Sequence, residues 1–345
     1  MEKSKNEIRG MRNHVIILAV LCLLLASCGH KRDIFEGVDL TPQKVDIVRF
    51  DSALIQIDTT DIHVSVKQLY ERYPDFTPYF VTDLLGLDNG DSLAAVLPRF
   101  LADTTLRIAQ TNRDEQVLFA DITAIQNEMN EAFTRIHYLF DEWTIPTIYL
   151  YVSGYVSPIY FPNDEIIGIG ADMYLGSDYE VYNQMVYNYQ KITMRKECVV
   201  GDAVSAYLFR NIPFNGSQNR LLDQMIYQGK MMFLLDQVLP SEQEEQIIGY
   251  SKEQWDWCID NERDIWRYMM DKRDLFKTEA IVLTSYMNDG PFTSEVSQDS
   301  PGRLGTWVGW RIVESYMNHN ENVTIHQLLE NTDAQSILEN SHYRP

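Results

Sequence analysis

The chain has 345 residues, 45% of them apolar, and carries 50 acidic side chains against 29 basic ones, a formal net charge of −21. That length and apolar share can bury a sizeable core, while strong acidity without a concentrated basic patch argues against nucleic acid as a partner. Four cysteines are too few for a disulfide scaffold.

Residues 1–27 read as a signal peptide. Lys3, Lys5, Arg9 and Arg12 precede an apolar run from Val15 to Leu25, far too short to span a bilayer permanently. The run ends in Leu25-Ala26-Ser27-Cys28, which resembles a bacterial lipobox. That resemblance implies that the Cys28 thiol is acylated and opens the mature protein; an ordinary cleaved signal or an uncleaved anchor is the alternative. Loss of residues 1–27 removes four basic and two acidic side chains, so −21 becomes −23. No later stretch approaches about 18 consecutive apolar residues, so the mature chain is expected to be tethered to a membrane by lipid and not embedded in it. Residues 28–44 are polar, carry Pro42 and read as a tether, and about 15 extended residues reach roughly 50 Å.

The folded body is expected to start at Val45, where "VDIVRFD" alternates as a half-buried strand does. From about Val64 the pattern turns helical, with short segments around Leu69, Leu84 and Leu97. One long helix is then expected from Asp114 to Phe140, since Val117, Ile122, Ile125, Met129, Phe133 and Ile136 recur at helical steps. "IPTIYLYVSGYVSPIYF" and "DEIIGIGADMYLG" follow, rich in Tyr, Ile and Val and broken by Gly and Pro, as strands are.

After about Asp178 the chain turns helical again. A single domain over 45–345, or two packed subdomains dividing near 178–200, both fit. Leu221, Leu222, Met225, Ile226, Gly229, Met232 and Phe233 mark a helix stopped at Pro240. Ser251 caps the next one with Gln254 as its reciprocal partner, and Tyr250 and Trp255 stand as a hydrophobic staple. The buried stripe of that helix is expected to run through Trp255, Cys258, Ile259, Ile265, Trp266 and Met269. Cys198 and Cys258 read as buried thiols, or as a pair formed in an oxidising periplasm. The sum is an α+β protein, mainly helical, with a small mixed or antiparallel sheet between helical layers.

Familiar catalytic patterns fail in turn. "GYVSP" puts Ser157 before a proline where a nucleophile elbow needs its final glycine, and no phosphate or dinucleotide glycine fingerprint follows a strand. Beyond the signal peptide, His30, His63, His137, His319, His326 and His342 form no i, i+4 pair, so a two-histidine zinc helix is missing. Carboxylates are too numerous to be diagnostic. Asp172 and Asp178, flanking "MYLG", are the least ordinary, though either could simply cap the next helix. Twenty tyrosines and six tryptophans could line a sugar groove, but most fall on periodic apolar faces, where core packing is the plainer reading.

In "DEIIGIGADMYLGSDYEVY", "NRLLDQMIYQGKMMFLLD", "WDWCIDNERDIW" and "SPGRLGTWVGWRIVESYM" the chain resembles the gliding-motility lipoproteins called GldB, in the same order over nearly the whole mature length. That family is membrane-anchored, defined by a requirement for surface gliding in Bacteroidota, and tied to no established biochemical activity. It is in turn similar to predicted zinc peptidases with an H-E-x-x-H helix and a later helix that supplies a glutamate. Aligned on that pattern, Gly201 and Ser205 fall at the two histidines, Asp202 at the glutamate between them, and Gln228 at the later glutamate. The resemblance implies a degenerate zincin-like architecture and a pseudo-enzyme without metal or other cofactor. It also implies envelope proteins of the gliding or associated secretion machinery as partners. The segment after Cys28, "GHKRD", lacks the acidic cluster that resembles a surface-export signal, which favours the periplasmic face. A hydrolase or peptidase using Asp172, Asp178 or Asp202, and a glycan-binding lipoprotein, are the alternatives.

The peptidase-like relatives share a P-x-x-x-G-x-x-x-G-x-x-I-V segment, matched by Pro301, Gly305, Gly309, Ile312 and Val313. Gly305 and Gly309 lie on one helical face, where a missing side chain lets another backbone approach, and are read as structural. Trp307 and Trp310 point elsewhere, into the core or into the old substrate cleft.

Overall fold

Short runs of β-branched and aromatic residues build the sheet on which the first half of the chain is organised. The computed structural model describes residues 32–88, 90–103 and 108–345. The signal peptide, Cys28 and the start of the tether lie outside the described residues. Gly37–Pro345 forms one unit; residues 32–36 belong to another, in which the Phe35 N–H donates to Asp33 Oδ1 at 2.9 Å. Among the described residues no helix is long and apolar enough to cross a membrane.

The sheet has four strands, β1 (Ile47–Arg49), β2 (Thr147–Tyr151), β3 (Ile159–Tyr160) and β4 (Ile166–Gly170), in the order β1-β2-β4-β3. β2 runs parallel to β1 and β4, and β3 pairs antiparallel with β4, so the sheet is mixed. β4 is buried throughout, which is why it reads as a continuous apolar run and does not alternate. β1 is shorter than the expected Val45–Asp51 strand because helix α1 (Phe50–Ile55) starts inside it. Phe50 turns into a cluster with Phe76 and Phe80, at centroid distances of 5.0 and 5.1 Å. Helices α2 (Ile62–Arg72) and α3 (Gly90–Leu101) join this cluster, and Phe76 stacks on Tyr149 of β2 at 4.5 Å.

The single helix expected over 114–140 is two helices, α4 (Ile108–Leu118) and α5 (Thr123–Leu139). Phe119 is buried at the break, whereas Val117, placed by periodicity on the apolar stripe, is 79% exposed. Asp121 Oδ1 accepts the Thr123 N–H at 2.8 Å, and two remote cations take the carbonyls that the break releases. Lys196 donates to Leu118 O and Asp121 O at 2.7 and 2.8 Å, and the Arg49 guanidinium donates to Phe119 O. Satisfied carbonyls remove the main penalty for interrupting a helix.

The second half holds α6 (Val199–Asn211), α7 (Leu221–Val238), α8 (Glu244–Ile248), α9 (Lys252–Lys272), α10 (Ala280–Met287), α11 (Leu304–His319), α12 (Ile325–Glu330) and α13 (Ala334–Ser341). α6 contacts β3 and β4. The α9 capping box forms as expected: Ser251 Oγ accepts the Gln254 N–H at 3.2 Å, and Gln254 Oε1 accepts the Ser251 N–H at 2.9 Å. Trp255, Cys258, Ile265 and Met269 are buried on α9, but Ile259 is 46% exposed and Trp266 half-buried. Cys198 and Cys258 are free, buried thiols.

α7 is buried on nearly every face and α11 packs along it. A Cβ on Gly309 would overlap the Met225 carbonyl, and one on Gly229 would overlap the Gly309 carbonyl. Gly305 lies instead against α10, where a Cβ would press on the Met287 sulfur and stand 3.1 Å from Tyr286 O. A thioether can swing aside; a helix backbone cannot. Gly309→Ala and Gly229→Ala should therefore each destabilise more than Gly305→Ala, by about 1–3 kcal/mol in urea denaturation, despite the better helix propensity of alanine. A Gly309→Ala protein as stable as the parent would show that the two backbones do not touch.

Candidate binding cleft

Gly201, Asp202 and Ser205 lie within two turns of α6, and Gln228 lies on α7. All four line one cleft of about 470 Å³. Tyr174, Tyr189 and Gln190 contribute from the stretch between the sheet and α6, Glu242 from the α7–α8 connection, and Arg303 from the start of α11.

Tyr174 donates its hydroxyl to Asp202 Oδ2 at 3.0 Å. Burial pushes the Asp202 carboxyl up to about 6, against the opposing effects of the Tyr174 bond and the Arg303 charge. Glu242 is pushed up to about 7, by burial first and then by the charges of Glu128 and Asp202; Arg195 and the Gly201 backbone N–H act the other way. Gly201 leaves space for that carboxyl, since a Cβ there would stand 3.2 Å from Glu242 Oε1. Arg303 is spoken for: its Nε lies 2.8 Å from Asp289 Oδ1, and its other end donates to the Ile248 carbonyl. The Ser205 and Gln228 side chains make no hydrogen bond to another described residue. Cys198 also borders the cleft, but burial raises its thiol to about 12, which leaves almost no thiolate to act as nucleophile.

The other candidates sit elsewhere. Asp172 is fully buried and accepts from Ser153 N, Tyr155 N and Ser153 Oγ at 2.8, 2.7 and 3.2 Å. It closes the turn after β2, where Gly154 and Tyr155 adopt φ of 68° and 65°, and burial raises its carboxyl above the ordinary range. Asp178 is exposed and does not border the cleft. Asp172 and Asp178 therefore do not come together as a site; Asp202 and Glu242 do, beside Asp289, which is paired with Arg303. Glu242 was missed because nothing in its local pattern separates one glutamate after Pro240 from the other acidic residues.

Trp307 and Trp310 require a correction as well. Both are fully buried, on the side of α11 that meets α9. Their rings lie 6.3 and 5.8 Å from Trp255, and the Arg311 guanidinium stands 4.6 Å above Trp310. Neither lines the cleft. Trp307→Ala or Trp310→Ala should cost about 3–5 kcal/mol in denaturant melts, as loss of a core Trp does; a loss below about 1 kcal/mol would return them to the surface.

Among the described residues no group of three or more His, Cys, Asp or Glu is arranged to hold a metal ion. The family model for gliding motility protein GldB matches residues 33–345. No curated protein and no solved structure matches.

The raised carboxyls make the cleft a source of instability with a definite sign. Unfolded Asp and Glu titrate near 3.9 and 4.3, so between those values and about 6 and about 7 the folded state holds more protons. Stability then falls as pH rises through this window, and the penalty is complete above it. Asp202→Asn and Glu242→Gln should each raise stability at about pH 8 by roughly 1–3 kcal/mol and leave it unchanged at about pH 4. Equal melting curves at high pH would contradict the burial of these charges.

Proposed function

The chain belongs to the GldB family of gliding motility lipoproteins, and from that premise we propose that it is a non-catalytic component of the cell envelope. On this reading it is anchored through acylated Cys28, faces the periplasm and binds a protein of the motility or associated secretion apparatus through the cleft. The architecture is read as degenerate zincin-like. One observation carries the proposal: the three positions aligned with peptidase zinc ligands, Gly201, Ser205 and Gln228, and Asp202 at the general-base glutamate, line a single cleft, yet none of the three is of a ligating type. Catalytic zinc needs about three imidazole, thiolate or carboxylate ligands and an open position. A neutral amide at 228 and a glycine and serine at 201 and 205 supply none of the missing ones.

A second reading, a carboxyl-based hydrolase, is favoured by Asp202 and Glu242, which titrate near neutrality in one cleft as general acid–base groups do. The glycan alternative loses two of the six tryptophans that could line a sugar groove, because Trp307 and Trp310 are buried.

Elemental analysis of the purified protein should find no stoichiometric zinc, and a panel of peptides and glycosides should pass unhydrolysed. Hydrolysis abolished by Asp202→Asn or Glu242→Gln would establish the enzyme reading instead. Cys28→Ala should move the protein out of the membrane fraction, because two or more acyl chains are what anchors stably. Undiminished attachment, with no acyl label on the parent, would refute the lipid anchor.

A further inference from the structure

We propose that the cleft takes a cationic side chain of a peptide segment, a lysine ammonium or arginine guanidinium, held between the carboxyls of Asp202 and Glu242. The inference rests on the binding reading above and names the chemistry of the bound group.

The argument begins with which charges in the cleft are already answered. Arg303 is matched by Asp289 and the Ile248 carbonyl. Asp202 has only the neutral Tyr174 hydroxyl, and Glu242 only the backbone N–H of Gly201. No described cation lies within ion-pair distance of either carboxyl. Arg195, the cation nearest Glu242 in effect, directs its Nε to the Ile192 carbonyl at 3.1 Å, and Glu128 adds a further negative charge from α5. A concave site with two half-buried carboxylates, neither ion-paired to a described cation, gains most from a guest that brings a cation with it.

The remaining groups suit such a guest. An ammonium offers three donors and a guanidinium five. Besides the carboxylates, Ser205 and Gln228 supply acceptor oxygens not used by another described residue. Tyr189, which lines the cleft, stacks on Tyr187 at 5.8 Å, and Tyr187 is 72% exposed. Aromatic faces there can cover the apolar stem of a lysine or arginine and attract its charge. The volume of about 470 Å³ is that of a site for an organic group of some size. A sugar would also use aromatic and carboxyl groups, but its hydroxyls only hydrogen-bond to ionised carboxylates and leave their charge uncancelled. A cation cancels it, so its uptake should expel the protons that Asp202 and Glu242 hold near neutrality.

The test is calorimetric titration of the full-length protein in detergent with blocked pentapeptides of alanine carrying a central Lys, Arg or norleucine, and with a neutral chitooligosaccharide. The Lys and Arg peptides should bind at about pH 8 and at least about tenfold more weakly at about pH 5, with the norleucine peptide about tenfold weaker at the higher pH. Binding at about pH 6.5 in buffers of different ionisation enthalpy should report proton release. Asp202→Asn with Glu242→Gln should abolish the selectivity for charge, and because these changes remove buried charges they should not unfold the protein. Equal affinity for Lys and norleucine peptides, pH-independent binding of the oligosaccharide alone, or no binding at either pH would overturn the proposal. Mass spectrometry of the same samples separates the two readings. Cleaved peptide would overturn the non-catalytic reading while cation selectivity stood; lost selectivity with intact peptide would overturn only the present inference.

Discussion

The close approach of α7 and α11 at Gly229 and Gly309 is the constraint on which the second half of the molecule depends. Each glycine lies where a side chain would strike the other helix's backbone. Successive helical residues point about 100° apart, so while Gly229 faces α11, its neighbour Gln228 is free to face the cleft. Arg303, immediately before α11, reaches the same cleft from the other helix. The contact that joins the helices thus also sets two walls of the candidate site.

Electrostatics divides the molecule differently. At the break between α4 and α5, Arg49 and Lys196 satisfy carbonyls that a helix would otherwise have used, and the same Arg49 pairs with buried Asp51 at 2.6 Å. There polar groups are answered and serve the fold. In the cleft, Asp202 and Glu242 keep only neutral partners and are raised by burial. Shifted carboxyls that share a concave site have the pattern associated with functional sites.

The family assignment and the cleft bear on each other without being the same statement. Membership in the GldB family over residues 33–345 associates the chain with gliding motility. The cleft says what chemistry its surface offers there, carboxyl groups beside tyrosine rings, and that is where a biochemical role for this chain is best sought.

The sequence by itself determined what depends on near neighbours. The capping box at Ser251, the Tyr- and Ile-rich strands, the apolar positions of α7 and the structural role of Gly305 and Gly309 were all legible, since caps, propensity and periodicity act within a few residues. Gly201, Asp202, Ser205 and Gln228 were found through resemblance and proved to share one cleft. Tertiary structure alone decided the rest. Periodicity showed that Trp307 and Trp310 leave the glycine face, but only the position of α9 makes their surroundings a core. The helix break at 119–122 depends on cations about 70 or more residues away in sequence, at 49 and 196. Asp172 and Asp202 are both acids beside apolar runs. What makes one the lock of a turn and the other the floor of a cleft is which distant donors reach each carboxylate, and how much water the surrounding helices exclude.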